Sequence, residues 1–202
     1  MKLFHPILLV VSVVANLSAS ELDQASRKVL LDHLNQSSSE FLSSVKGLTA
    51  EQWNYKPAAD VWSVAECAEH IALSEDLLRD MVEMKILTAA ASPERVAERK
   101  TLDEKVVKMI TDRSFKAKAP EPLKPSGKFA TPEAALQKFQ ESRKNTIALA
   151  SSRGDLCEHA GPHSVFKELD AYQWLLYTSG HTMRHTAQIQ EVKANPGFPK
   201  GK

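Results

Sequence analysis

"SGHTMRHTAQIQ", residues 179–190, places two histidines four positions apart in a stretch that is otherwise typical of a helix. Side chains at positions i and i+4 lie one above the other on a helix, so His181 and His185 would share a face. That face also carries Trp174 and Val192, which argues against a fully solvated surface. A His-x-x-x-His pair on a helix is more often incidental than a pair of ligands. The rest of the chain has to show whether these side chains point at something.

The same helical pattern extends through most of the chain. Apolar residues recur at three-, four- and seven-residue intervals from Leu22 to Lys46, and Gly47 is placed to end that helix. Four further helix start signals follow in the sequence: the capping box Ser63-Val64-Ala65-Glu66, then Ser92-Pro93-Glu94, Thr131-Pro132-Glu133, and Asp170 with Gln173. The helices that begin there are expected to end near Thr88, Ile110, Ser151 and Lys193. No alternating apolar pattern of any length occurs, so we expect no sheet.

Segments rich in turn-forming residues separate these helices. They are residues 48–63, with a short turn expected from Thr49, residues 115–130, with three prolines and a glycine, and residues 153–169. Four long amphipathic segments joined by such loops predict an all-α four-helix bundle with an extra short helix and loop in the middle. Bundles of this kind commonly hold metal ions in the core, between side chains of facing helices.

Length and composition indicate one globular domain. The chain has 202 residues, 43% of them apolar and 25% charged, and its formal net charge is +1. A balanced charge provides no broad basic surface, so nucleic acid is not an expected partner.

The first twenty residues are a different kind of sequence. "MKLFHPILLVVSVVANLSAS" has one lysine, an apolar run and then small residues, which is the layout of a secretory signal. We expect residues 1–20 to be removed and a mature domain of residues 21–202 to be exported to the periplasm or the cell exterior. The alternative is an uncleaved anchor. The run from Ile7 to Leu17 is short and contains Ser12 and Asn16, so we expect no stable membrane insertion after cleavage.

A third histidine is expected to face the core. "AECAEHIALSE", residues 65–75, places His70 three residues before Leu73 on the apolar side of the second long helix. His70, His181 and His185 together would supply three nitrogen donors from two helices. Three protein ligands leave a coordination position open for water or substrate, as in catalytic zinc sites.

The other candidate residues have simpler interpretations. His33 is expected at the border of an apolar helix face, while His159 and His163 lie in a loop, with His163 nearer to the last helix. Cys67 could face the metal, but plain burial is favoured, and two separate buried thiols are favoured over a disulfide between Cys67 and Cys157. Further roles are expected for Trp53, Tyr55 and Trp62 in packing at the end of the bundle, for Glu66 as a helix cap, and for Gln188 and Tyr177 as polar groups of a pocket.

Two long segments carry a family resemblance. "GLTAEQWNYKPAADVWSVAECAEHIA" at 47–72 and "LDAYQWLLYTSGHTMRHTAQIQEVK" at 169–193 resemble the DinB-like superfamily of bacterial four-helix-bundle proteins. The likeness covers most of residues 25–194 and is weakest in the middle. The resemblance implies an up-down-down-up bundle in which three histidines bind a divalent metal. The matching positions in this chain are His70, His181 and His185.

The three-imidazole donor set and the resemblance together leave several functions open. The expected metal is zinc, with nickel, iron or manganese as alternatives. The favoured function is a metal-dependent hydrolase that acts on a small-molecule substrate through metal-activated water. One alternative is a metal-dependent thiol S-transferase, which an exported protein with little access to cytosolic thiols would suit less well. Another is a non-catalytic, metal-stabilised binding module, which a fourth protein ligand such as Cys67 would favour. A homodimer is left open.

Overall fold

The computed structural model describes residues 22–92, 100–115, 118–129 and 131–200. The signal peptide predicted for residues 1–20 and the Pro93-Glu94 start of the predicted middle helix lie outside these ranges. None of the helices in the described residues is long and apolar enough to cross a membrane.

The described residues form six α-helices and one small sheet. In chain order the elements are α1 (Gln24–Val45), α2 (Ala50–Asn54), α3 (Val64–Met81), α4 (Lys100–Thr111), α5 (Pro132–Ser152), β1 (Ala160–His163), β2 (Lys167–Asp170) and α6 (Ala171–Lys193). A π-helical turn, Val82–Ile86, follows α3 directly, and a 3-10 turn, Glu121–Leu123, lies in the loop before α5. The helical elements confirm the predicted helical architecture, including the short extra helix in the middle.

Side-chain caps determine where the two site-bearing helices begin. At the start of α3, the Glu66 amide donates to Ser63 Oγ (3.1 Å) and the Ser63 amide donates to Glu66 Oε2 (2.7 Å). At the start of α6, Asp170 and Gln173 form the same reciprocal pair at 2.7 and 3.1 Å. A cap of this kind contributes about 0.5–2 kcal/mol to helix stability. Glu66 therefore serves as the cap that its spacing predicts.

Four long helices form the bundle, and α1 runs parallel to α6. The Tyr172 hydroxyl donates to the Ser26 carbonyl where both helices begin (3.1 Å), and Lys193 Nζ donates to the Ser44 carbonyl where both end (2.7 Å). Contacts at matching ends of two helices require that the two run in the same direction.

The other two helices, α3 and α5, run the opposite way. Arg27, near the start of α1, donates to the carbonyl of Ala150 near the end of α5 (2.8 Å). Val64, at the start of α3, packs in the same apolar cluster as Ile189, near the end of α6. The order of directions is therefore up-down-down-up, as the family resemblance implies.

A buried polar centre lies between two apolar clusters of the bundle core. Arg143 of α5 uses all five of its N–H donors there: two bind the Glu75 carboxylate of α3 at 2.7 and 2.8 Å. The others bind the Leu34 carbonyl (2.5 Å) and Ser37 Oγ (2.7 Å) of α1 and Thr182 Oγ1 (2.9 Å) of α6. The centre thus joins all four long helices through one side chain.

The expectation that the protein has no sheet was wrong. Strands β1 and β2 form an antiparallel hairpin in which Ala160 pairs with Asp170 and His163 pairs with Lys167. Each strand has only four residues, so an alternating apolar pattern is too short to recognise in the sequence. The hairpin joins α6 directly, because β2 ends at the residue that caps that helix.

Candidate metal centre

Three histidine side chains meet between the antiparallel helices α3 and α6. The capping box at Ser63 sets the phase of α3, and His70 lies two turns later on the face that packs against α6. His181 and His185 lie one turn apart on the facing side of α6. His70 and His185 are 3% and 8% exposed, and His181 is half-buried.

The distances within the cluster suit a shared ion. His70 Nε2 lies 3.2 Å from His181 Nε2, and one ring nitrogen from each of the three histidines lies within 4.8 Å of the others. A tetrahedral ion with bonds of about 2.0–2.1 Å would hold its ligand nitrogens about 3.3 Å apart. The first pair already has that spacing, and the third ring nitrogen lies within 4.8 Å of both.

Hydrogen bonds on the far side of two rings direct their lone pairs into the cluster. His70 Nδ1 lies 2.8 Å from the Leu123 carbonyl, and His185 Nδ1 lies 2.9 Å from Gln188 Oε1. Both partners are oxygen acceptors, so Nδ1 carries the proton in each ring and Nε2 keeps its lone pair. Metal-bound histidines usually have such a partner on the second ring nitrogen.

The electrostatic environment keeps the three rings neutral. Burial lowers the pKa of His181 well below its usual 6.5, and His185 and His70 lower it further. Burial, aided by His70, lowers the pKa of His185 to about 3. Burial also lowers the pKa of His70, although the bond to the Leu123 carbonyl opposes this shift. Neutral imidazoles are the form that binds metal, so no proton has to leave near neutral pH.

Aromatic rings line the cluster. The Trp62 ring lies 4.9 Å from the His70 ring and stacks at 5.9 Å on the His185 ring, as measured between ring centroids. The Tyr177 ring stacks at 6.4 Å on the His181 ring. Trp62, which the sequence assigned to packing at the bundle end, therefore borders the candidate site. Tyr177 also borders it, through its ring face.

The two cysteines and His163 lie outside the group of three histidines. Cys67 lies in the apolar core, where burial raises the pKa of its thiol to about 12, and Cys157 belongs to the other apolar cluster. The two thiols are therefore buried separately, as favoured. His163, at the end of β1, packs against Trp174 of α6. Across the described ranges, the group able to hold a metal comprises the three histidines alone.

Sequence reasoning missed the segment between α4 and α5 as part of the site. It contributes the Leu123 carbonyl to His70, and Glu69 anchors it by accepting hydrogen bonds from the amides of Ser126 (2.8 Å) and Gly127 (2.9 Å). Gly127 has a φ of +74°, a conformation that favours glycine. The sequence offered two hints, namely a glutamate directly before His70 and the later Ser126-Gly127 turn. No local pattern shows that these two features contact each other.

Comparisons with known proteins agree with this architecture. Residues 33–189 match the model of the DinB superfamily. The uncharacterized protein YuaE of Bacillus subtilis (strain 168) is 33% identical over 160 residues, which cover 79% of this chain and 94% of YuaE. The solved structure of YfiT from Bacillus subtilis has a TM-score of 0.57 at 16% identity and covers 88% of this chain and 91% of YfiT. YfiT is described as a probable metal-dependent hydrolase with an unusual four-helix bundle topology, and at this identity the likeness establishes the shared fold.

Proposed function

We propose that this chain, which belongs to the DinB superfamily, binds a divalent metal ion through His70, His181 and His185 and acts as a metal-dependent hydrolase on a small molecule. The observation that carries the proposal is the convergence of three neutral imidazoles, with two Nε2 atoms 3.2 Å apart, at the boundary between core and solvent. A neutral His181 ring with its proton on Nε2 would hydrogen-bond to the His70 Nε2 lone pair at this distance, whereas a bound cation would accept a lone pair from both rings.

The donor set favours zinc among the divalent ions. Imidazole nitrogen suits zinc, copper, iron and nickel, whereas magnesium and calcium prefer oxygen ligands, which this cluster does not offer within the described residues. Zinc binds readily through three protein nitrogens in a tetrahedral arrangement with one position left over. We therefore propose zinc, with nickel or iron as alternatives; manganese, which was also expected as an alternative, prefers oxygen ligands and fits this donor set less well.

An open coordination position supports catalysis over a purely structural role. Structural zinc sites are closed by four protein ligands, whereas catalytic sites have three. The thiol of Cys67, the one side chain that the sequence offered as a fourth ligand, lies in the apolar core and is not part of the group of converging donor atoms. When bound, a divalent ion would act as a Lewis acid and lower the pKa of water in its open position.

The chain's own residues would shape the reaction site around that position. Trp62 and Tyr177 present ring faces beside the histidines, so they would exclude bulk water and bind the apolar part of a substrate. Burial and His70 are the main causes of the low pKa of His185, and Arg184 and Arg113 make smaller contributions in the same direction.

Metal titration of the purified protein, followed by a panel of substrates, tests the proposal. We expect the metal-stripped protein to bind one zinc or cobalt ion per chain, and each of His70→Ala, His181→Ala and His185→Ala to abolish tight binding. His33→Ala is the matched control, because His33 lies on α1 outside the cluster. The loaded protein should hydrolyse members of an ester, amide and phosphoester panel, and a parallel panel of thiol acceptors identifies the transferase alternative. Absence of metal binding by the parent would refute the proposal.

A further inference from the structure

Gln188 fixes the tautomer of His185, that is, which of its two ring nitrogens carries the proton. Its Oε1 lies 2.9 Å from His185 Nδ1. A carbonyl oxygen can only accept, so it selects the ring form with the proton on Nδ1 and the lone pair on Nε2. A glutamine amide can also present its NH₂ group instead, which would place the lone pair on Nδ1 and turn an Nε2–H toward the other histidines.

Arg113 determines which end of the Gln188 amide faces His185. Its Nη1 lies 3.3 Å from Gln188 Oε1, and a guanidinium can only donate, so the amide oxygen must stay at the shared position. Arg113 is itself fixed by a two-point pair with Glu191, with Nε to Oε1 at 2.9 Å and Nη2 to Oε2 at 2.6 Å. Glu191 therefore orients Arg113, Arg113 orients the Gln188 amide, and the amide orients the His185 imidazole.

The two oriented histidines differ in how firmly their partners are held. His70 donates to a backbone carbonyl, that of Leu123, and a backbone carbonyl cannot exchange a donor for an acceptor. His185 depends on a side-chain amide that could rotate. The residue that prevents rotation, Arg113, lies just after α4, outside the four long helices of the bundle.

Arg184 anchors this part of the chain to α6. Its guanidinium donates to the carbonyls of Ile110, Asp112 and Phe115, which flank Arg113 on both sides. The backbone around Arg113 is therefore held against the helix that carries His181 and His185. These hydrogen bonds place Arg113, which lies outside the four long helices, next to Gln188.

We propose that Gln188 is a positioning residue for the metal centre, and that Arg113, held by Glu191, locks its amide so that His185 presents Nε2 to the ion. This inference rests on the proposed metal binding by the three histidines. It assigns a function to the segment after α4 that the ligand set alone does not require. Loss of such an outer partner typically lowers metal affinity by about 10–100-fold.

Three variants test the assignment against a matched control. Gln188→Leu removes the acceptor, Arg113→Met removes the lock while leaving Gln188 in place, and Gln188→Glu retains an oxygen acceptor for Nδ1–H. Gln190→Leu makes the same change at an exposed glutamine of the same helix. Arg113→Met alters a partly exposed side chain, so it keeps the test valid if Gln188→Leu impairs folding.

Two measurements on these proteins are needed. Competition titration with zinc gives the affinity, and long-range ¹H–¹⁵N spectra of the metal-free protein give the ring form of each histidine. We expect Gln188→Leu to weaken zinc binding by about 10–100-fold and to lose the pure Nδ1–H form of His185. Arg113→Met should shift both readouts in the same direction by less, and Gln188→Glu and Gln190→Leu should resemble the parent.

The outcomes separate this inference from the proposed function. If the parent binds zinc tightly and Gln188→Leu binds it equally well with an unchanged His185 ring form, the positioning role is wrong and the metal site stands. If the parent binds no metal, the proposed function and this inference both fail. A weakened affinity with an unchanged ring form would also overturn the inference, because a general loss of stability would then explain it.

Discussion

Replacing Arg143 with methionine should destabilise the bundle more than any other single arginine change in the described residues. Arg143 and its partner Glu75 are 2% and 1% exposed, and the guanidinium also lies 5.1 Å from the ring centroid of Phe139. Methionine replaces the apolar stem of the side chain but not the guanidinium, so the substitution removes the charge and the hydrogen bonds and leaves a small space beside Glu75. The main consequence is a carboxylate left buried without its partner.

The size of the effect follows from which groups lose their partners. The Ser37 and Thr182 hydroxyls keep contacts to helix carbonyls at 3.2 and 3.4 Å, so they remain satisfied. Glu75 loses both of its charged contacts, and breaking a buried ion pair at one end costs about 3–5 kcal/mol. For a domain of this size each kcal/mol lowers Tm by roughly 2–4 °C, so the expected fall is roughly 6–20 °C.

Thermal and urea unfolding of four proteins tests this reasoning. Arg79→Met is the matched control, because Arg79 pairs with Asp76 and Asp80 near the surface, where such pairs are worth about 0–1 kcal/mol. The double variant Arg143→Met with Glu75→Leu removes the stranded carboxylate and should recover much of the loss. If Arg143→Met costs no more than the control, or if the double variant is less stable than Arg143→Met alone, the reasoning is wrong.

Further measurements test the site, its packing and the processing of the chain. His185→Ala should remove bound metal with only a modest fall in Tm, because the helices are held by their own apolar faces; collapse of the fold would indicate a structural metal instead. The metal-free protein should be most stable above pH 6.5 and should lose stability as the pH falls toward about 3, because the buried rings stay neutral while the histidines of the unfolded chain take up protons. Urea midpoints measured across this pH range should depend less on pH for His185→Ala than for the parent. Equal pH dependence in the two proteins would mean that the buried histidines do not cause the loss of stability. Gly180→Ala should destabilise the protein by about 1–3 kcal/mol, because the new Cβ would lie 2.3 Å from Ile110 Cγ2 where α4 packs on α6. Adding Ile110→Ala to this variant should recover part of the lost stability in urea unfolding. A Gly180→Ala protein as stable as the parent would contradict the predicted clash. N-terminal sequencing of exported material should give a start near Glu21, whereas a Met1 start in a membrane fraction would overturn the predicted cleavage.

Local patterns in the chain were sufficient to predict the helices and the three histidines. Ser63 with Glu66 and Asp170 with Gln173 are capping pairs three residues apart, and a cap acts within one turn of the helix that it begins. Once the start of a helix is known, its period sets which side chains share a face, so the inward positions of His70 and His185 follow. That those faces meet each other came from the family resemblance, which supplied the order of the helices.

Gln188 lies only three residues from His185 and was named as a pocket residue, but the other contacts that fix the site and the core could not be inferred in the same way, because they join distant parts of the chain. His70 meets the Leu123 carbonyl across 53 residues, Arg113 meets Gln188 across 75, and Glu75 meets Arg143 across 68. Each contact depends on how loops and helices pack after they have formed, and no periodicity or cap signal encodes such a pairing. Local hydrogen bonding and apolar spacing therefore suffice to place the three histidines on their helices. The packing of distant segments determines which way most of the polar groups around them face.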